Sequence, residues 1–347
     1  MKLAVRVLLL GIGVGVFMWY VAHANHAEIW RALGRLGWMA PLVLLPYGLV
    51  YLVDTLAWSL SFAVKPAVSF WRLFLVRWAG ESINSILPSA YVGGEALKVY
   101  FLGKHGVNVT DATSSAVISK TLQTIAQVFF IGMAALACIL VFPEKNGLQL
   151  QMGAGLLAGL IIVSGLLWLQ RRGLFGSLFA VAERLRLRLA FLERQRFRLD
   201  HLDDQIAAFY RGHRRRFFLS SATYLGGWLL DTLEIFLVGF LVGTPLNWPE
   251  ALIVEAFAGV AKALGMWVPG SLGVQETGIV LIGRAIGLGD AFCLAYALIR
   301  RGREIIFASL GCTIIWWQHG SLHGLAPCLI PHAKESSSRN RPVKLLP

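Results

Sequence analysis

Several ionisable and amide side chains of this chain lie inside hydrophobic sequence, where a charge is costly. Arg77, Glu81, Asn84, Glu95 and Lys98 form one group, and Glu255, Lys262, Gln275, Glu276 and Arg284 a second. Lys120, Gln123 and Gln127 fall in one apolar run, and Arg300, Arg301, Arg303 and Glu304 in another. A charged side chain at bilayer depth costs about 3 kcal/mol or more, so such residues face a bundle interior or a wet cavity. A cavity with both signs of charge suits a zwitterionic or anionic head group. The plain alternative for any one residue is an internal ion pair that only fixes packing. Asp54, Asp231 and Glu234 are deep carboxylates. They could carry protons or, as we expect, pair with Lys120 and the Arg300–Arg303 cluster.

Other chemistries find no support. There is no GxxxxGK[ST], GxSxG or HExxH sequence and no kinase signature. Cys138, Cys293, Cys312 and Cys328 are scattered without ligand spacing, so neither a metal, a disulfide nor any other cofactor is expected. A formal charge of +13 would point to nucleic acid on a soluble protein. Here the arginines crowd into short loops and mark topology instead, so no nucleic-acid partner is expected.

The elements that hold these residues are membrane helices. Only 15% of residues are charged against about 25% in soluble domains, and mean hydropathy is +0.64. Runs at 3–22, 38–62, 121–142, 148–169 and 217–243 are long enough to cross a bilayer. The N-terminus also fits a signal peptide, with Lys2 and Arg6 at its start followed by an apolar run, but the length of that run favours a retained helix. Segment 171–216 carries twelve arginines (171, 172, 184, 186, 188, 194, 196, 198, 211, 214, 215 and 216) against five acids, placing it in the cytoplasm. Its helical apolar period fits an amphipathic helix on anionic lipid as well as a solvated connector. Loops 143–147 and 244–248 lack that positive excess and belong outside, whereas the basic tail belongs inside. The expected location is therefore the bacterial cytoplasmic (inner) membrane, multi-pass, with both termini cytoplasmic.

Crossings are consistent only if 69–106 and 249–287 each cross zero or two times, as a hairpin of short helices does. Proline and glycine break each hairpin, at Pro88 with Gly93 and Gly94, and at Pro269 and Gly270 with Gly273. Broken backbone survives at membrane depth only where protein or water satisfies it, and the N-terminus after a break suits an anion. The halves also repeat. Tyr47, Tyr51, Asp54, Thr55 and Leu56 return as Tyr224, Trp228, Asp231, Thr232 and Leu233 at an offset of 177. Pro88-x6-Glu95 returns as Pro269-x6-Glu276 at 181. The expected fold is an all-α polytopic membrane protein with inverted-topology repeats, each a span, a Pro/Gly-broken helical hairpin and a second span. Its parts are 1–37, a membrane helix and interfacial segment; 38–142, repeat one; 143–216, a connecting span and basic segment; 217–318, repeat two; and 319–347, a polar basic tail.

The stretch from Gly80-Glu81-Ser82-Ile83-Asn84 through Pro88, Gly93, Gly94 and Glu95 to Lys98 resembles the flippase-like membrane family that includes the transmembrane region of lysylphosphatidylglycerol synthetase. Val268 to Glu276 resembles its second motif, P-G-G-x-G-x-x-E. The resemblance covers about residues 3–318 and implies a lipid translocase. Asn84, Pro88, Gly93, Gly94, Glu95, Pro269, Gly270, Gly273 and Glu276 are its implied site residues. Ser271 departs from the motif's second glycine, and Ser119-Lys120 from a common acid-Arg pair. The Glu-Ser-Ile-Asn and Lys120–Gln127 stretches resemble a stand-alone branch linked to hopanoid biosynthesis. This sequence shows no counterpart of the lipid-synthesizing domain of two-part members, so synthesis is not expected to carry over. Membrane lipids are the expected partners, with lipid-biosynthesis enzymes as further ones. On this reading the chain moves a polar-headed or hopanoid-type lipid between leaflets. Lys98, Lys120, Arg300, Arg301 and Arg303 would attract phosphate, and Glu95 and Glu276 would orient amines or pair those cations. The alternatives are a membrane-embedded enzyme, with Asp231 and Glu234 as acid and base, or a scaffold for lipid or hopanoid biosynthesis.

Overall fold

The computed structural model describes residues 26–87, 92–173 and 196–319, with single positions at 11, 15, 18, 19, 22, 176 and 177. The first expected span, Pro88, part of the arginine-rich segment and the tail after 319 lie outside the described residues. Those residues form helices and connecting turns, with no strand among them. Helix α1 is His26–Leu36, followed by a 3-10 segment Gly37–Val43 and α2, Leu44–Leu60. Next come α3 (Phe70–Ile86), α4 (Val92–Lys104), α5 (Val109–Val141) and α6 (Asn146–Arg172). The second half holds α7 (Arg196–Gly212), α8 (Arg214–Val242), α9 (Trp248–Leu264), a 3-10 turn Pro269–Ser271, α10 (Val274–Ile286) and α11 (Asp290–His319).

Four stretches are long and apolar enough to cross a membrane: His26–Leu60, Val109–Val141, Asn146–Gln170 and Arg214–Val242. Their outward faces are apolar, with Leu136, Leu140, Leu150, Leu157, Ile161 and Phe240 exposed, as a lipid-facing surface requires. Helix α11 has 30 residues, enough to span at 1.5 Å per residue, but its charged middle sets it apart from those four.

Each hairpin pairs a helix of 17 residues with one of 13: α3 with α4, and α9 with α10. Thirteen residues rise about 20 Å, short of the roughly 30 Å hydrocarbon core. The breaks have local causes. Leu87 is extended at ψ 129°, because a residue before proline is steered out of the helical region. In the second hairpin Gly270 has φ +58° and Gly273 φ +81°, values that glycine adopts at little cost. Close packing joins α3 to α4. A Cβ on Gly80 would lie 2.6 Å from Lys98 side-chain carbons and 2.9 Å from the Gly94 carbonyl oxygen.

The hairpins open toward opposite ends of the bundle. Phe62, Leu73, Phe101, Ala112 and Ile315 share one apolar cluster. It gathers the end of α2, the start of α3, the end of α4, the start of α5 and the end of α11. Arg216 at the start of α8 donates to the Phe62 and Ala63 carbonyls there, both at 2.9 Å. At the other end Cys138, Leu148, Val242, Ala251, Ile286 and Phe292 belong to a second cluster, and Arg35 donates to the Val242 carbonyl at 2.6 Å. Packing follows one exchange rule: α2 lies on α8 between the halves, α3 on α11, and α9 on α5. The tips meet, since the 3-10 turn touches α3 and a Cβ on Gly270 would stand 3.3 Å from the Ser85 carbonyl oxygen.

Candidate functional site

A cavity of about 270 Å³ lies where the two tips, α2, α5, α8 and α11 converge. Helix periodicity builds its walls. Lys120, Gln123, Thr124 and Gln127 share one face of α5, and Arg300, Arg303 and Glu304 one face of α11. Asp54, Arg77, Glu81, Asn84, Asp231 and Lys262 add to the polar lining, and Tyr47, Tyr51, Tyr224 and Trp228 supply the aromatic part.

The charges fall into four sets. In the first, Arg77 on α3 reaches Asp54 on α2 at 2.5 Å and Glu81 at 3.4 Å. Lys98 holds Glu81 at 2.6 Å and Glu95 at 2.9 Å, and Lys120 reaches Glu95 at 3.2 Å and Glu81 at 3.7 Å. In the second, Arg301 binds Glu276, reaches Glu304 at 2.6 Å and donates to the Gly270 carbonyl at 3.0 Å. Lys262 reaches Glu304 at 3.0 Å. The third is a buried pair, Glu255 with Arg300, at 2.5 and 2.8 Å through two nitrogens. In the fourth, Arg303 pairs with Glu234 and lies 3.6 Å from Asp231. The Arg303 guanidinium also stacks 3.6 Å over the Tyr47 ring.

One arrangement occurs in both halves. Lys120 on α5 reaches Glu95 in the first turn of α4, and Arg301 on α11 reaches Glu276 in the first turn of α10. Cation and acid both recur at an offset of 181. In each half the long helix is thus tied to the start of the hairpin's second helix, close to the break.

Several expectations change at this level. Asp54 pairs with Arg77 rather than with Lys120 or the α11 arginines. Arg284 lies outside the cavity, in an exposed pair with Asp290 at 2.6 Å. The helix starts after the breaks are already capped by protein: Asn84 Oδ1 accepts from the Gly94 N–H at 2.9 Å, and Glu276 accepts from the Gly273 N–H at 2.8 Å. Any anion is therefore better served by side-chain cations than by those N–H groups. Lys98 is buried between two carboxylates, 5.6 Å over the Trp58 ring, and Arg300 is bound to Glu255, so both are committed to structure. The cavity-lining ammoniums with most exposure are Lys120 and Lys262, at 31% and 33%.

Of the remaining expected residues, Gly93 is half-buried in α4 and Pro269 begins the 3-10 turn. Lys262 was visible as a charge in the second hairpin but was not among the expected site residues. The aromatic lining was also not assigned. Its signal was present, because Tyr47 and Tyr51 recur as Tyr224 and Trp228.

The sequence profile of the lysylphosphatidylglycerol synthase TM region matches residues 4–312. A UPF0104 membrane protein of Pyrococcus horikoshii is 24% identical over 277 residues, covering 73% of this chain and 80% of that protein. A UPF0104 membrane protein of Methanothermobacter thermautotrophicus is 23% identical over 267 residues, covering 71% and 75%. No solved structure matches the chain.

Proposed function

The chain belongs to the lysylphosphatidylglycerol synthase TM-region family, membrane proteins associated with lipid handling, and from that membership we propose that it translocates a lipid between leaflets. The observation that carries this reading is the mixed-charge cavity between the tips of two hairpins that open toward opposite ends of the bundle. A head group passing through such a site leaves its acyl chains in lipid. In this reading Lys120 and Lys262 receive the phosphate, Glu81 and Glu304 receive an amine where the head group carries one, and the tyrosines and Trp228 flank it. A hopanoid with a polar side chain would use the same lining. The chain acts as a translocator, without bond chemistry on the lipid.

The exchange-symmetric packing supports the inverted-repeat reading, in which the halves rock against each other around a fixed midplane site. The arginine-rich end then faces the cytoplasm, with both termini on that side, in a cell's inner membrane. The direct test uses vesicles holding the purified protein and a trace of lipid labelled on its head group. Loss of outer-leaflet label beyond that of empty vesicles is expected. Equal rates with and without protein, for every native lipid class tried, would contradict the proposal.

A further inference from the structure

The carboxylates that line the cavity are already matched by the protein. Asp54 lies 2.5 Å from Arg77, Glu81 2.6 Å from Lys98, Glu304 2.6 Å from Arg301 and Asp231 3.6 Å from Arg303. An amine entering the cavity gains a carboxylate only by displacing a cation that holds it. One ion pair then replaces another, and the amine still loses its water. The lysines, in contrast, are the lining charges with most exposure. Beyond a phosphate on those lysines, the head group is therefore chosen by the neutral groups of the lining.

Three side-chain amides stand among them: Asn84 on α3, and Gln123 and Gln127 on one face of α5. An amide carries two N–H donors and a carbonyl acceptor. Asn84 Oδ1 accepts from the Gly94 N–H, while its buried Nδ2 has no hydrogen-bond partner among the described residues. Gln123 Oε1 accepts from Lys120 at 3.3 Å, and its Nε2 makes no bond to another described residue. Gln127 makes no hydrogen bond to another described residue. It stands beside an aromatic ring: a Cβ on Gly259 would lie 3.2 Å from Trp228 and 3.5 Å from Gln127 Nε2. Amide and ring thus share one patch of wall, the amide suited to hydroxyls and the ring to the C–H groups between them. The volume of about 270 Å³ is below the roughly 300–1,000 Å³ of drug-sized pockets, so the guest is one small head group rather than an oligosaccharide.

We propose that the cavity selects a small polyol carried on a phosphate, in preference to an amine head group. The hydroxyls bond Asn84, Gln123 and Gln127, the carbon chain lies on Trp228, and the phosphate meets Lys120 and Lys262. This names the substrate class of the translocase reading and rests on that reading for its lipid, but binding is measured without transport.

The test titrates the purified full-length protein in detergent with short-chain phosphatidylglycerol, phosphatidylmethanol and phosphatidylethanolamine, read by calorimetry. The first two carry the same single negative charge and differ in their hydroxyls. Phosphatidylglycerol is expected to bind about tenfold more tightly than either of the others, the worth of one or two added hydrogen bonds. Gln127→Met breaks no hydrogen bond to a described residue, so it should remove most of that preference and leave the phosphatidylmethanol affinity unchanged. Equal affinity for phosphatidylglycerol and phosphatidylmethanol, tighter binding of phosphatidylethanolamine, or no binding of any of them overturns the proposal. So does a Gln127→Met protein that keeps the full preference or that weakens on all three lipids alike. Free glycerol phosphate separates the two sources of this chemistry: binding as tight as that of the lipid assigns the site to a soluble ligand and overturns the lipid. Phosphatidylglycerol that binds with the expected preference yet does not cross vesicles counts against the translocase reading alone.

Discussion

Buried charge sets the demands at the scale of single residues. Glu255 and Arg300 form a buried pair, so Glu255→Ala leaves a guanidinium uncompensated and should cost about 3–5 kcal/mol, read as lowered thermal stability in detergent. Ser271 makes a finer point. It stands where the family motif has a second glycine, and its backbone lies at φ +53°, a region that costs a residue with a Cβ roughly 1–2 kcal/mol. Its hydroxyl offsets part of this by donating to the Lys262 carbonyl at 3.0 Å, one of the orphan acceptors at the end of α9. Ser271→Gly should therefore be close to neutral or mildly stabilising. Ser271→Ala keeps the backbone cost and loses the bond, so it should be the less stable of the two. The reverse order in thermal unfolding would refute this account of the departure. Partner choice was the least legible feature at this scale. Spacing along a helix shows that Asp54 is deep, but not which neighbouring helix brings a cation to it, and Arg77 was as available as Lys120.

Among the described residues, the four long apolar spans and the Pro269–Gly273 break were legible at the scale of elements, because hydropathy and Pro/Gly placement act locally. The aromatic lining was not assigned, since tyrosine and tryptophan in apolar helices also serve lipid interfaces, and only the side-by-side packing of α2 and α8 turns them inward. The glycines of the first hairpin were expected as breakers, but Gly94 lies inside α4 and permits close approach to α3. Gly94→Ala would place a methyl against the Gly80 carbonyl and the Asn84 side chain. It should cost about 1–3 kcal/mol by overpacking and splay the hairpin, seen as new cysteine-reagent access at Ser85→Cys. Unchanged stability and access would mean that the α3–α4 contact does not hold the tip in place.

The whole molecule is organised by opposed hairpins, and this predicts sidedness. Cysteines at Lys104 and Arg214 should react from one side of sealed vesicles, and cysteines at Lys145 and Gly287 from the other. Labelling of Lys104 and Lys145 from the same side would break the opposed arrangement. The matching offsets of 177 and 181 suggest a repeat from sequence alone, whereas the meeting of the tips depends on how the halves pack. The central claim is that lipid head groups pass through the cavity between those tips. It is tested most directly by measuring leaflet exchange of a head-group-labelled anionic lipid in vesicles holding wild type, Lys120→Met/Lys262→Met, or no protein. The account predicts exchange with wild type at least tenfold above empty vesicles, and a double variant that folds yet falls toward the empty-vesicle rate. Exchange by the folded double variant at the wild-type rate would contradict it.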